Sequence, residues 1–397
     1  MTHLRSAAAP LEVALLTGGQ DRHYAVGLGT ALLEQNVAID VIGSDEVDGP
    51  EFRGNPRVRF LNLHGGQTNA GVARKIGNVL GFYARLVHYT VTAKPKVFHI
   101  LWNNKLQLLD RTVVMLLYKI AGKKVVFTAH NVNAGRRDEK DSWLNRITLR
   151  IQYKLCDRLF VHTTKMRDEL IAQFGVRQDR ITVIPYGINN AVPYTALTCE
   201  QARKELGVGR NEKVILYFGA IKVYKGLEYL VAAFQQIAGE GNYRLIIAGE
   251  RKKGYEAYWD SIQATIEKHP SREQVLQKIQ FIPDAETEIY FKAADVAVLS
   301  YTEIFQSGIL FMALAYGLPV IASDVGSFAE DIVEGETGYV CRPKDSVDLA
   351  RKVQQYFASD LYKDLDRRRE EIRESAFSSH SWEVVADLTR NAYDKLA

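Results

Sequence analysis

The stretch Asp295–Asp331, DVAVLSYTEIFQSGILFMALAYGLPVIASDVGSFAED, decides the fold. It reads as a buried strand at Val296–Leu299, a loop, a helix over Ser307–Tyr316 and a second buried strand at Pro319–Ala322. Strands this uniformly apolar, separated by a helix, belong to a parallel sheet covered on both faces. The loop from Ser300 to Gly308 leaves the carboxyl end of its strand and runs into a helix N-terminus. Ligands of open α/β sheets sit at that edge, and the N–H groups of a helix start suit an anion. Ser307 is placed to cap the helix, and Gly308 lets a phosphate approach the backbone. An ordinary βα turn needs the same caps and glycines, so this loop alone does not separate the two readings.

The preceding hundred residues repeat the pattern. A helix over Cys199–Leu206 leads to a strand at Val214–Phe218, and then to GAIKVYKGLEYLVAAF. Gly219 ends the strand, Lys222 and Lys225 follow in the loop, and Gly226 opens a helix with Leu227, Leu230, Val231 and Phe234 on one side. Two lysines in a glycine-bounded loop at a strand's carboxyl end suit a diphosphate; two solvated loop lysines are the plain alternative. Strands at Arg244–Ala248 and Ile279–Ile282 end in Gly249-Glu250 and Pro283-Asp284, on the same edge.

The first half alternates in the same way. Strands are expected at Glu12–Thr17, Val37–Ile42, Val97–Trp102, Lys124–Thr128, Leu159–His162 and Ile181–Ile184, with a helix at Tyr24–Gln35. Gly18-Gly19 forms the first tight turn. Gly27 and Gly29 mimic a dinucleotide fingerprint, but they fall inside the helix and Leu32 stands where the third glycine belongs, which excludes NAD binding. The second strand pair ends in Asn103-Asn104-Lys105 and in AHNVNAGRRD. His130, Asn131, Asn133, Arg136 and Arg137 therefore lie at or beyond a strand's carboxyl end. A lone histidine is usually structural; one in a polar, doubly basic loop points to a ligand.

From Phe52 to Leu109 there is no acidic residue, against nine Lys or Arg. Within it Val72, Ile76, Val79, Leu80, Tyr83, Leu86 and Val87 recur at helical spacing, with Arg74, Lys75 and Arg85 off the stripe. Such a helix packs on a core with a solvated basic face, or it lines a cleft that faces anionic lipid or a lipid phosphate.

A chain of 397 residues exceeds one core and divides in two. The turn Pro185–Asn190 and the polar run to Thr198 read as the hinge. This gives an N-terminal domain over 1–190 and a C-terminal domain over 191–380, followed by a last helix over 381–397. A net charge of +4 is too small to imply nucleic acid. The three cysteines (Cys156, Cys199, Cys341) have neither metal nor disulfide spacing, which fits a reducing cytoplasm. No apolar run is long enough to cross a bilayer, and no signal-peptide core precedes the first strand.

The ordered set YFGAIKVYKGLEYL, LIIAGE, FIPD, YFKAADVAVLSYTEIFQSGILFMALAYGLPVIASDVGS and GETGYV resembles the nucleotide-binding half of GT-B glycosyltransferases, most like family 4. TGG, TAHN, VHTTKM and VIPYGIN stand at matching places in the first half. The resemblance covers nearly the whole chain. It implies an α/β chain of two Rossmann-like doubly wound domains facing across a cleft, with the acceptor on the first (1–190), the sugar nucleotide mainly on the second (191–380), and the last helix (381–397) crossing back to pack on the first. The implied activity is retaining transfer of a sugar from a nucleotide diphosphate to a hydroxyl of a saccharide or lipid-linked acceptor, with no metal or other cofactor.

On this scheme His130, Lys222, Lys225 and Glu303 are the catalytic set. Gly18, Gly19, Gly219, Gly249, Glu250, Pro283, Gln306, Ser307, Gly308 and Ile309 hold the donor. Asn103, Asn104, Asn131, Asn133, Arg136 and Arg137 face the acceptor. The chain departs from the family pattern of two glutamates seven residues apart: Glu303 is offset and Met312 stands at the second position. Ala220 replaces the usual arginine after the strand's glycine, leaving Lys222 as the substitute cation. The family setting is bacterial surface polysaccharide or glycoconjugate assembly in the cytoplasm, with peripheral contact to an anionic inner membrane face. The alternatives are a sugar-nucleotide epimerase or phosphorylase of the same fold, and a non-catalytic binder of sugar nucleotides.

Overall fold

The computed structural model describes residues 10–18, 22–63, 72–137, 141–189 and 192–396, with the side chains of 72–76 and 137 left aside. Gly19 and Asn190 lie outside the described residues, as do the side chains of Arg74, Lys75 and Arg137. Two compact units emerge, Met1–Gly187 with Ser381–Ala397, and Ile188–His380.

Among the described residues the first unit holds seven strands: β1 (Leu11–Leu16), β2 (Val37–Gly43), β3 (Val58–Asn62), β4 (Val97–Ile100), β5 (Lys124–Thr128), β6 (Arg158–Val161) and β7 (Ile181–Val183). Their order is β3-β2-β1-β4-β5-β6-β7, and every pairing is parallel. The second unit repeats the plan with β8 (Lys213–Phe218), β9 (Tyr243–Ala248), β10 (Val275–Lys278), β11 (Val296–Leu299), β12 (Val320–Ser323) and β13 (Gly338–Cys341). They run β10-β9-β8-β11-β12-β13, again all parallel. Both sheets are doubly wound. Each reverses its order beside its first strand, at β1/β4 and at β8/β11, which opens a crevice at the carboxyl ends of those strands.

One expected strand is displaced. The ladder beside β9 is Val275–Lys278, not Ile279–Ile282. Gly249 N–H closes it on Lys278 O at 2.9 Å, and Phe281 beyond it is exposed. β10 is a sheet edge, where one side of the strand faces water, so the polar VLQK pairs while the more apolar IQFI runs on as connection.

The helix Trp382–Asp394 belongs to the first unit and packs on the helix Arg22–Glu34. Trp382 is buried there with Val385, Ala386 and Tyr393. A Cβ on Gly27 would stand 2.1 Å from the Trp382 ring, and one on Gly187 2.6 Å. Gly27 is glycine because an indole occupies the space its side chain would fill, which accounts for half of the false dinucleotide fingerprint.

In the second unit Asp295 anchors the sheet. Its carboxylate takes both Arg203 Nη2 contacts, at 2.9 and 2.8 Å, and the Val214 N–H at 2.7 Å. Both side chains are about nine-tenths buried, so each charge depends on the other for solvation.

Candidate functional site

At the carboxyl edge of the first sheet, the chain leaves β1 through Thr17 and Gly18. Thr17 is buried and donates its hydroxyl to Ile42 O at 3.1 Å. Gly18 has φ +61°, and a Cβ there would lie 2.8 Å from the carbonyl oxygens of Trp102 and Asn103. The turn after β1 is thereby pressed against the turn after β4.

His130 follows β5. Its ring stacks on Trp102 with centroids 4.2 Å apart and planes 5° apart, and it meets Tyr24 edge-on at 4.6 Å. His162, at the end of β6, places Nε2 3.0 Å from His130 Nδ1 and Nδ1 3.3 Å from Ile184 O. A carbonyl only accepts, so His162 Nδ1 carries the proton and its Nε2 accepts from His130 Nδ1–H. His130 Nε2 is then a bare lone pair, buried and without a hydrogen-bond partner among the described residues. Burial, reinforced by His162 and His99, holds the His130 imidazole well below its usual range, so it is neutral. A neutral imidazole nitrogen of this kind accepts a hydroxyl proton in a hydrogen bond.

The residues expected on the acceptor side do not all face outward. Asn103 and the buried Gln152 exchange two hydrogen bonds, at 3.1 and 2.8 Å. Asn104 donates to Asp110 at 3.2 Å. Asn133 is buried and accepts from Asn145 at 2.9 Å. These three amides brace the turns. Asn131 is half-buried, and Arg136 is exposed, 3.8 Å from Glu169.

The second sheet gathers its residues more tightly. Gly219 (φ +107°) ends β8, and Gly249 ends β9 so close that its Cβ would lie 2.1 Å from Gly219 O. Ile221 N–H bonds Glu250 O at 2.9 Å, zipping the two turns, while the Glu250 side chain pairs with Lys252. The turn after β8 also locks to the turn after β11. Ser300 Oγ donates to Gly226 O at 2.9 Å, and Thr302 N–H to Tyr224 O at 2.8 Å.

This bracing directs Lys225 inward. The side chain is buried, and Nζ stands 2.8 Å from where a Cβ on Gly219 would be. It lies 5.3 Å from the centre of the Tyr301 ring. Burial pushes its pKa down, opposed by Tyr224, and no carboxylate among the described residues acts on it. Lys222 is half-buried at the start of the same turn, near the face of Tyr224.

Ser307 caps the helix Gly308–Ala315, accepting from Ile309 N–H at 3.3 Å, and its hydroxyl lies 3.4 Å from Tyr301 OH. Ile309 Cδ1 lies 3.6 Å from the same Gly219 Cβ position. Gly219, Lys225, Tyr301, Ser307 and Ile309 thus converge, with Gly308 exposed at the rim. Glu303 is half-buried in the loop, and Gln306 lies beside Asp331, whose carboxyl burial pushes up to about 6. Pro283 stands apart, capping the helix Asp284–Ala293 after β10, two strands from β8.

Trp102, Tyr24, His162 and Tyr301 were not singled out in the sequence. His162 and Tyr301 each sit just past a strand end, which is the signal that could have found them.

Each unit is a doubly wound α/β sheet with polar groups at its carboxyl edge, a bare imidazole nitrogen in the first and a buried ammonium in the second. Comparison with known proteins identifies the class. The model of Glycosyltransferase Family 4 matches residues 17–192, and that of Glycosyl transferases group 1 matches residues 199–376. A D-inositol 3-phosphate glycosyltransferase of Corynebacterium aurimucosum is 28% identical over 285 residues, 68% of this chain and 65% of that protein. The match thus spans just under two thirds of that relative's length. Sucrose-phosphate synthase of Thermosynechococcus elongatus superimposes with a TM-score of 0.78 at 21% identity, covering 97% of this chain and 99% of that one. HepE of Anabaena in complex with UDP-glucose does so with a TM-score of 0.73 at 16% identity, covering 97% and 100%. The chain belongs to the glycosyltransferases of GT-B fold, in the group around family 4.

Proposed function

We propose that this glycosyltransferase moves a sugar from a nucleoside diphosphate to a hydroxyl of a saccharide or lipid-linked acceptor, with retention at the anomeric carbon and without a metal. The observation that carries this reading is Lys225: a buried ammonium at the β8/β11 crevice on which no carboxylate among the described residues acts. A buried cation without a counter-ion is costly, and a diphosphate supplies the missing charge. HepE, which shares the fold, has been solved in complex with UDP-glucose, in keeping with a donor of that class.

In the reaction the bond between the anomeric carbon and the diphosphate oxygen breaks, and its electron pair stays on that oxygen. Lys225, Lys222 and the helix start at Ser307-Gly308 stabilise the charge as it develops. The acceptor oxygen bonds to the anomeric carbon on the face that the leaving group vacates. Its proton passes to the departing phosphate oxygen, so no covalent nucleophile is required. His130 Nε2 accepts a hydrogen bond from a hydroxyl of the donor sugar or acceptor. Assembly of a bacterial surface polysaccharide or glycoconjugate, on the cytoplasmic side, is the setting in keeping with this chemistry.

The test is incubation with a panel of nucleoside diphosphate sugars, with and without a chelator, following release of nucleoside diphosphate and the anomeric configuration of the product by NMR. Release that persists in chelator with a retained anomer supports the reading. Inversion, an absolute metal requirement or an epimerised donor overturns it.

A further inference from the structure

The helix over Gln107–Ile120 is turned inside out. Its charged residues near the start point inward: Asp110 accepts from Tyr83 OH at 2.9 Å, and Arg111 donates to Asn145 at 2.7 Å and to Gln107 at 2.8 Å. Its outward residues are Leu108, Val113, Leu116 and Ile120, all exposed, Ile120 by 84%. Residues 110–114 form a π-turn, which takes up one extra residue and keeps Leu108 on the same side as the other three. A helix on a protein surface ordinarily shows water the opposite face.

The neighbouring helices extend this surface. Val72–Thr92 buries Phe82, Leu86 and Tyr89 and leaves a second apolar stripe, Leu80, Val87 and Val91, exposed. The stripe expected to serve one face is therefore divided between core and solvent. On the other side, Trp143–Leu155 begins with Trp143, exposed by 76%. Right-handed crossovers from β3 to β4, β4 to β5 and β5 to β6 place all three helices on one face of the sheet. The Tyr83–Asp110 and Arg111–Asn145 bonds tie them side by side. Their outer sides form one surface.

The charge carried by these three helices is basic, although Arg146 is paired with Asp141, just before the third helix, at 2.7 Å. The only acidic residue between Phe52 and Arg137 is Asp110, which is buried, and the helix Trp143–Leu155 has none. The exposed charges on the three helices, among the described residues, are Arg85, Arg146, Arg150 and Lys154. A second copy of this chain would set these cations against their own kind. An anionic bilayer answers both features, taking the apolar side chains into its interfacial layer and the cations onto its headgroups.

We infer that the outer face of these three helices docks on an anionic lipid surface. This deepens the lipid-linked acceptor of the proposed function, giving the enzyme's membrane contact an address. It does not depend on the donor chemistry.

The full chain is mixed with vesicles of phosphatidylcholine alone, or with about one phosphatidylglycerol in three, and sedimented at low and high salt. Binding is expected only with phosphatidylglycerol and should fall at high salt. The emission of Trp143 should shift to the blue, a shift lost in Trp143→Phe. Leu116→Ser with Ile120→Ser should reduce vesicle binding by roughly tenfold or more. Arg150→Gln with Lys154→Gln should reduce it by roughly thirtyfold, at about one kcal/mol per cation. Titration of each variant with a nucleoside diphosphate checks the fold and the donor site independently, so loss of vesicle binding there is distinct from failure of the transferase reading. Equal binding to neutral vesicles, unchanged binding by both double variants, or a homodimer broken by Leu116→Ser and Ile120→Ser would each overturn the inference.

Discussion

Lys225→Met should move stability and donor binding in opposite directions. Methionine is unbranched and reaches nearly as far as lysine, so it fills the space beneath Gly219 without a charge. In the ligand-free protein, the buried ammonium lies by the Tyr301 ring with Tyr224 opposing its desolvation, and no carboxylate among the described residues acts on it. Removing it relieves a desolvation cost on the order of 1–3 kcal/mol, so the variant should unfold later in urea than the parent. Donor binding should weaken by about 1.5–3 kcal/mol, the scale of a charge-assisted hydrogen bond, or roughly 10- to 150-fold in Kd. The sign with pH follows from the direction of the shift. Lys225 has its folded pKa depressed by burial, so the unfolded chain binds more protons between the folded and unfolded values. Stability of the parent should therefore rise with pH across that window, whereas in the methionine variant this rise should vanish. The assays are calorimetric titration with a panel of nucleoside diphosphates and urea unfolding at several pH values. A variant that is less stable than the parent, or that binds every nucleoside diphosphate equally well, would refute the reasoning.

Gly219→Ala should mimic the binding defect, because its Cβ would lie 2.8 Å from Lys225 Nζ at a φ of +107°; parental affinity would show that the ammonium does not matter there. His130→Phe keeps a ring against Trp102 and removes the Nε2 acceptor, so kcat/KM should fall by about 0.5–1.5 kcal/mol, roughly 2- to 12-fold. Because His130 is held neutral, its imidazole NMR signals should not titrate near pH 6.5; a midpoint there would contradict the His162 relay. Asp295→Ala leaves Arg203 buried without its partner and should cost roughly 3–5 kcal/mol in denaturant unfolding, with a loss under one kcal/mol arguing against the pair. Asp331 has its folded pKa raised to about 6, so its carboxylate disfavours the fold as pH climbs from the unfolded value through 6. Asp331→Asn should accordingly gain stability at pH 8 relative to pH 4, as thermal melts would record.

Much of this was written locally. Apolar runs such as Val296–Leu299 and Val320–Ser323 name buried parallel strands, since only a doubly covered sheet accommodates them. Glycines at the ends of β8 and β9 mark the turns, and those turns form the site edge. Position along the chain thus placed Lys222, Lys225, Ser307 and His130 at strand ends. Burial and partnership come from contacts between distant residues, and no local pattern carries them. Lys225 is buried because Ser300 and Thr302, far along the chain, clamp its turn. Asn103 and Asn133 looked like ligand groups until Gln152 and Asn145 took their amides. Helical periodicity showed apolar and polar sides in the first unit but not which side faces the sheet. Crossover handedness and the Tyr83–Asp110 bond settled that, turning Leu116 and Ile120 to the outside. The edge strand β10 was misplaced for the same reason: pairing with β9 selects a strand by register, and hydrophobicity along the chain does not report register.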